Sequence, residues 1–219
     1  ASELIRSGWS LKHLHRLILR SSAWQQDSAL LPKGLELDRN NAFLWHYSAR
    51  RMETEAIRDC TLQVTGELNL KTGGPGFSFF QTRGGLSGFP EQEQFTSEEF
   101  RRMVYSHRVR MEQVPVFGAF DCPDFGQSIP RRSRSTTAIQ ALNLFNSRFT
   151  HDRAEALAHR LSTQAGAQLT AQLQLAWQLT LSRPPTTTEL SAAETVAQQH
   201  GLPQVCRALL NSSEFLLIP

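Results

Sequence analysis

Residues 116–146 read VFGAFDCPDFGQSIPRRSRSTTAIQALNLFN, and the second half of that stretch decides the fold. Thr136, Gln140, Asn143 and Ser147 fall at i, i+4, i+7 and i+11, one narrow line on a 3.6-residue helix. Ala138, Ile139, Ala141, Leu142, Leu144 and Phe145 make the rest of that helix apolar. A helix apolar nearly all round is normally a buried one, so the stretch predicts a mainly α protein with this helix inside it. The line of amides and hydroxyls is then expected to face protein or ligand, because an unpaired buried polar group costs roughly 1–3 kcal/mol.

The first half of the stretch adds charge. Arg131, Arg132 and Arg134 crowd together just before the helix, and with Thr136, Gln140 and Asn143 they form the candidate ligand-binding set. Gln140 and Asn143 are expected to contact residues 121–134 or to line a pocket with them. Asp121 and Asp124 are the catalytic candidates, since paired carboxylates divide into acid and base when their surroundings separate their pKa values. A DCPD run also makes turns through Asx hydrogen bonds, which is the favoured reading.

Upstream, RRMETEAIRD (50–59) predicts a charged helix with Arg51, Glu55, Arg58 and Asp59 on one side. Glu55 and Asp59 repel each other at i, i+4. With Arg51 one turn before Glu55, and Arg58 beside Asp59, the expectation is a structural ion ladder whose members Glu55, Arg58 and Asp59 are buried and paired. Between 66 and 95, GGPGFSFF and RGGLSGFP predict an irregular glycine- and phenylalanine-rich insertion with short strands, its aromatics inward. GGPG is no phosphate loop, because no Lys-Ser/Thr follows it. Thr96 and Glu99 read as a capping box opening a helix over 97–107. Arg101, Arg102, Arg108 and Arg110 read as a solvated basic face, and 108–117 as a short strand.

The chain ends are simpler. Residues 2–7 read as helix stopped at Gly8, and Ser10 caps a helix to about Ser22 with Leu11, Leu14, His15 and Ile18 inward. His15 is the one metal candidate, but no second ligand stands at metal spacing, so no metal is expected. Residues 23–41 read as a polar connection. From 148 onward four apolar-striped helices follow, with SRPP as a break and Thr186/Glu189 as a capping box. One domain, 1–219, is the expectation, divided into N-terminal helices (1–65), insertion (66–95), central site-bearing segment (96–147) and C-terminal helical scaffold (148–219).

Composition sets outer limits. At 219 residues with 40% apolar content, the chain is long enough for one full core. Net charge +3 is a mild basic bias. Nucleic-acid binding through the arginines is disfavoured, because aromatic residues do not alternate with them. Cys60, Cys122 and Cys206 are widely spaced and form no CxxC, which argues against a zinc ribbon or attached haem here. A disulfide with a spare thiol and three buried small hydrophobes stay open, the second favoured. No run is long enough to span a bilayer. The opening ASELIRSGWS, without initiator Met, is expected to continue a longer polypeptide.

WSLKHLHRLILRSSAW, RRMETEAIRD with its GGPG, FDCPD with RRSRSTTAIQALNLFN, and LTLSRPPTTTEL closing on LLNSSEFLLIP together resemble a known family. It is the C-terminal domain of unknown function of large secreted planctomycete proteins. These proteins also carry a second uncharacterised domain upstream and often a planctomycete-type cytochrome c domain. Ala138 stands where the family pattern has Pro, and Ser213 where it has Asn. The resemblance implies an extracytoplasmic location, upstream domains of the same polypeptide as partners, and haem c only on another domain. The leading functional expectation is a binding or scaffolding module, with a neighbouring domain or a polysaccharide as ligand. The alternative is an enzyme, either a hydrolase using the paired Asp or a redox partner of an attached cytochrome.

Overall fold

The computed structural model describes residues 1–81, 89–92, 94–109, 112–114, 116–123, 126–133 and 135–218. The expected mainly α architecture is present: the described residues form ten α-helices and a single two-stranded sheet of β1 (Arg50–Arg51) and β2 (Leu217–Ile218). The chain divides into two compact units, residues 1–50 with 217–219, and residues 51–216.

In the first unit, α1 (Ser2–Arg6) ends before Gly8, whose φ of +65° suits a residue without Cβ. Helix α2 (Leu11–Leu19) starts where Ser10 Oγ accepts from His13 N at 3.3 Å. A short helix, α3 (Pro32–Leu37), interrupts the expected polar connection. Its Gly34 lies under the Trp45 ring, so close that a Cβ there would sit 2.6 Å from ring carbons. No residue from Ala1 to Arg50 is buried. The expected inward face of α2 is corrected accordingly: Leu11 and Ile18 are 61% and 43% exposed, and His15 is exposed.

The second unit is organised on α4 (Thr54–Thr65), α5 (Ala138–Asn146), α6 (Arg148–Ala165), α7 (Leu169–Leu181), α8 (Thr187–His200), α9 (Leu202–Leu210) and α10 (Ser213–Leu216). Val64, Leu157, Leu161, Leu173, Trp177, Val205 and Leu210 share its main core. Burying each such side chain contributes about 1.5–3 kcal/mol. The Thr186/Glu189 capping box forms as expected. All three cysteines are free, and burial pushes the Cys206 thiol up to about 12.

Between α4 and α5 the chain is irregular. Phe77, Phe79 and Phe80 turn inward as expected and build a second core with Met103, Val114 and Phe117. Among the described residues, isolated bridges such as Phe77 with Ser106 take the place of strands. The expected helix over 97–107 is absent; a 3-10 turn at Met103–Tyr105 follows instead. Thr96 N does donate to Glu99 Oε2, at 2.6 Å. However, the carbonyls a helix would need are taken: Arg58 donates to Glu99 O and Arg101 O, and Asn69 N to Phe100 O. The expected strand over 108–117 also fails where it is described, since Phe117–Phe120 forms a 3-10 turn. Arg110 and the run 82–88 lie outside the described residues.

Candidate functional site

Asp121 is the hub of the central segment. It follows the 3-10 turn at φ +58°, a left-handed conformation that Asp tolerates better than most residues. Its Oδ2 accepts from Arg51 Nη2 at 2.6 Å and from Ser135 N at 2.7 Å, and Oδ1 accepts from Ser135 Oγ at 2.9 Å. Burial alone would raise this carboxyl, but the Ser135 hydrogen bonds and the Arg51 charge outweigh it and hold it below the usual range. A carboxylate kept charged in this way is set up as a structural anion rather than a general acid.

Gln140 completes the hub from the start of α5. Its Nε2 donates to Ser135 Oγ at 2.7 Å, and its Oε1 accepts from Thr137 N at 3.3 Å. Thr137 Oγ1 in turn accepts from Gln140 N, closing a capping box. Gln140 therefore reaches Asp121 through Ser135, and residues 121–140 are tied at both ends. Arg51 adds a hydrogen bond to Ser135 O at 3.1 Å.

Glu55 is a second hub. Arg132 grips it bidentately at 2.7 and 3.0 Å, and Arg108 approaches at 3.3 Å. Burial raises this carboxyl too, and the hydrogen bond and charge of Arg132, with the charge of Arg108, bring it below its ordinary value. The recess between Arg51, Thr54, Asp121 and Arg132 holds about 10 Å³, roughly the room for one water. No sugar enters it.

The ion ladder takes another form than expected. Arg51 is extended in β1, not helical, because Met52 N donates to Leu216 O and α4 begins only at Thr54. Its partner is Asp121 rather than Glu55. Arg58, 1% exposed, spans from Glu99 O (2.6 Å) and Arg101 O (2.7 Å) to Asp59 (3.7 Å) and stacks on Phe77 and Phe79. Burial lowers its pKa to about 10. Asp59 accepts from Met103 N at 2.8 Å, and burial leaves its pKa raised despite that bond. Arg58 is thus buried and Glu55 and Asp59 half-buried, all three paired, chiefly to groups from other segments.

Arg101 was missed in the sequence. Read there as a solvated cation, it is 3% exposed and donates to Lys71 O, Gly73 O and Pro75 O. Its guanidinium lies 3.9 Å from the Tyr105 ring centre.

The remaining candidates scatter. Arg131, Thr136 and Asn143 are exposed, and Asp124 and Arg134 lie outside the described residues. The polar line on α5 fails because the helix runs only from Ala138 to Asn146, which leaves Thr136 and Ser147 outside it, while Gln140 turns into the cap and Asn143 is exposed. The expectation that α5 is buried all round fails with it: Ile139, Leu142 and Phe145 are 66%, 58% and 42% exposed, and only Gln140 and Leu144 are buried. Beside this face an open hollow of about 320 Å³ is lined by Val116, Leu142, Asn143, Asn146 and Ser147. Among the described residues no group of three or more His, Cys, Asp or Glu side chains is placed to hold a metal.

A family model described as "Protein of unknown function (DUF1553)" matches residues 1–197. No curated protein and no solved structure matches the chain.

Proposed function

This chain belongs to the DUF1553 family, and we propose that it is a non-catalytic binding or scaffolding module of an exported multidomain protein. One observation carries the reading. The charged central block is spent on itself, while the apolar outer face of α5 that it braces stands uncovered at Ile139 and Leu142. A rigid, uncovered apolar face suits docking of another protein surface. The family resemblance proposes the occupant, an upstream domain of the same polypeptide. The exported setting, planctomycete origin and haem c on another domain rest on the same resemblance, and no metal or haem is proposed for this chain. No helix among the described residues is long and apolar enough to cross a membrane.

The enzyme alternative gains nothing from Asp121, whose carboxylate is fully engaged. A polysaccharide remains the second reading, favoured by the Asn143 and Asn146 amides beside Leu142 in the hollow. The test is an Ile139→Glu/Leu142→Glu double variant. Both side chains point outward, so the melt should stay within about 2 °C. Binding to the upstream part of the parent polypeptide, read by calorimetry, should weaken at least about tenfold. Unchanged affinity would refute the docking reading, and retention on polysaccharide gels lost in Asn143→Ala/Asn146→Ala would select the second.

A further inference from the structure

We propose that α2, with the tryptophans at its two ends, is a docking face for the surface of an anionic lipid bilayer. The proposal is independent of the α5 face and rests on the first unit alone. Lys12, Arg16 and Arg20 fall at i, i+4 and i+8 and form one cationic line along the helix. Leu11, Leu14 and Ile18 fall at i, i+3 and i+7 on the opposite face, so the helix is amphipathic. Much of that face is open: Leu11 and Ile18 are 61% and 43% exposed, Leu14 is half-buried, and the neighbouring Leu17 is 50% exposed. Trp9 and Trp24, 71% and 49% exposed, stand beyond the two helix ends.

Charge identifies the occupant. From Leu4 to Gln26 there is no Asp or Glu at all. Residues 1–50 carry seven Lys and Arg against four Asp and Glu, which is the whole of the +3 net charge; residues 51–219 balance at sixteen of each. An anionic surface therefore draws this unit and not the other. A short helix with an apolar stripe, a cationic opposite face and tryptophans beyond its ends is the pattern that lies in a bilayer interface, apolar face down. At nine residues the helix is about 13 Å long, and lying flat it needs no partner shaped to fit it. The acyl boundary covers the leucines, while the Lys and Arg of the polar face are drawn by the negative surface potential of the headgroups.

The test uses the full 219-residue chain with vesicles of equal parts phosphatidylcholine and phosphatidylglycerol, and with phosphatidylcholine alone. Flotation and tryptophan emission report binding. The chain should float with the anionic vesicles in about 0.1 M salt, at least about tenfold more strongly than with neutral ones, and should be released by high salt. Leu11→Glu/Ile18→Glu should abolish flotation. Lys12→Gln/Arg16→Gln/Arg20→Gln should abolish it too; its three side chains are all exposed, so it decides the matter if the first variant fails to fold. No flotation with anionic vesicles, or flotation unchanged in the charge variant, would overturn the proposal. So would self-association of the chain without vesicle binding, lost in Leu11→Glu/Ile18→Glu, which would assign the face to protein.

Discussion

Replacing Arg58 by Ala removes the side chain around which two segments meet. In the folded protein its guanidinium closes Glu99 O at 2.6 Å and Arg101 O at 2.7 Å, balances Asp59 and fills the space against Phe77 and Phe79. Each hydrogen bond from a charged donor contributes about 1.5–3 kcal/mol net. Against this stands the cost of burying the charge, visible in the lowering of its pKa to about 10, and Ala recovers that cost. What Ala does not recover is the state it leaves behind: two carbonyls without their donor, a carboxylate at Asp59 without its nearest buried cation, and a void. Removing one partner from a buried pair of this kind costs about 3–5 kcal/mol. For a chain of this size each kcal/mol moves the melting temperature by about 2–4 °C, so Arg58→Ala should melt about 6–20 °C below the parent by calorimetry. Arg58→Lys, which keeps the charge but not the fork, should fall between. A melt for Arg58→Ala within about 2 °C of the parent would show that the contacts hold nothing together.

The acid limb of stability follows from the carboxylates. Glu55, Asp121, Glu189 and Glu214 all titrate below their ordinary values, so in acid the unfolded chain binds more protons than the folded one. Their contribution is present above the ordinary carboxylate range and is lost as pH falls through the folded values. Asp59, raised by burial, acts with the opposite sign just above its own ordinary value. The melting temperature should be flat from about pH 7 to 5 and fall below about pH 4, with a shallower fall in Asp121→Asn; an identical slope in that variant would remove Asp121 from the account. Gly76→Ala should be destabilising by about 1–3 kcal/mol in urea titration, because its Cβ would stand 2.4 Å from Tyr105 O. A neutral result there would mean that the Gly76–Tyr105 approach is looser than described.

Where local chemistry decides, the sequence was readable. Ser10, Gly8 and the Thr186/Glu189 pair each set a helix end from within a few residues, and each end stands where its cap places it. The same Thr-x-x-Glu pattern at Thr96 misleads, because distant donors on Arg58 and Asn69 claim the carbonyls the helix needed. The site was legible in its members more than in its wiring. Gln140 does reach Asp121, but through Ser135, which has no periodic signature, and Arg132 goes to Glu55 instead. Arg51 and Glu55 look like one ladder by spacing, but the chain is extended at Arg51 and sends it to Asp121 instead. Burial of α5 was over-read for a related reason: apolar periodicity registers what a helix carries, not whether a second surface is there to cover it.

The melt of Gln140→Leu tests most directly whether the central block is a lock. Gln140 is 4% exposed, and its amide holds Ser135 Oγ and Thr137 N. Leucine fills similar space but donates and accepts nothing, leaving those groups short of a partner at about 1–3 kcal/mol. A lock requires the melting temperature to fall by about 2–12 °C, while binding through Ile139 and Leu142 persists below the melt. An unchanged melting temperature with that binding abolished would contradict it, and would make Gln140 part of a binding site instead.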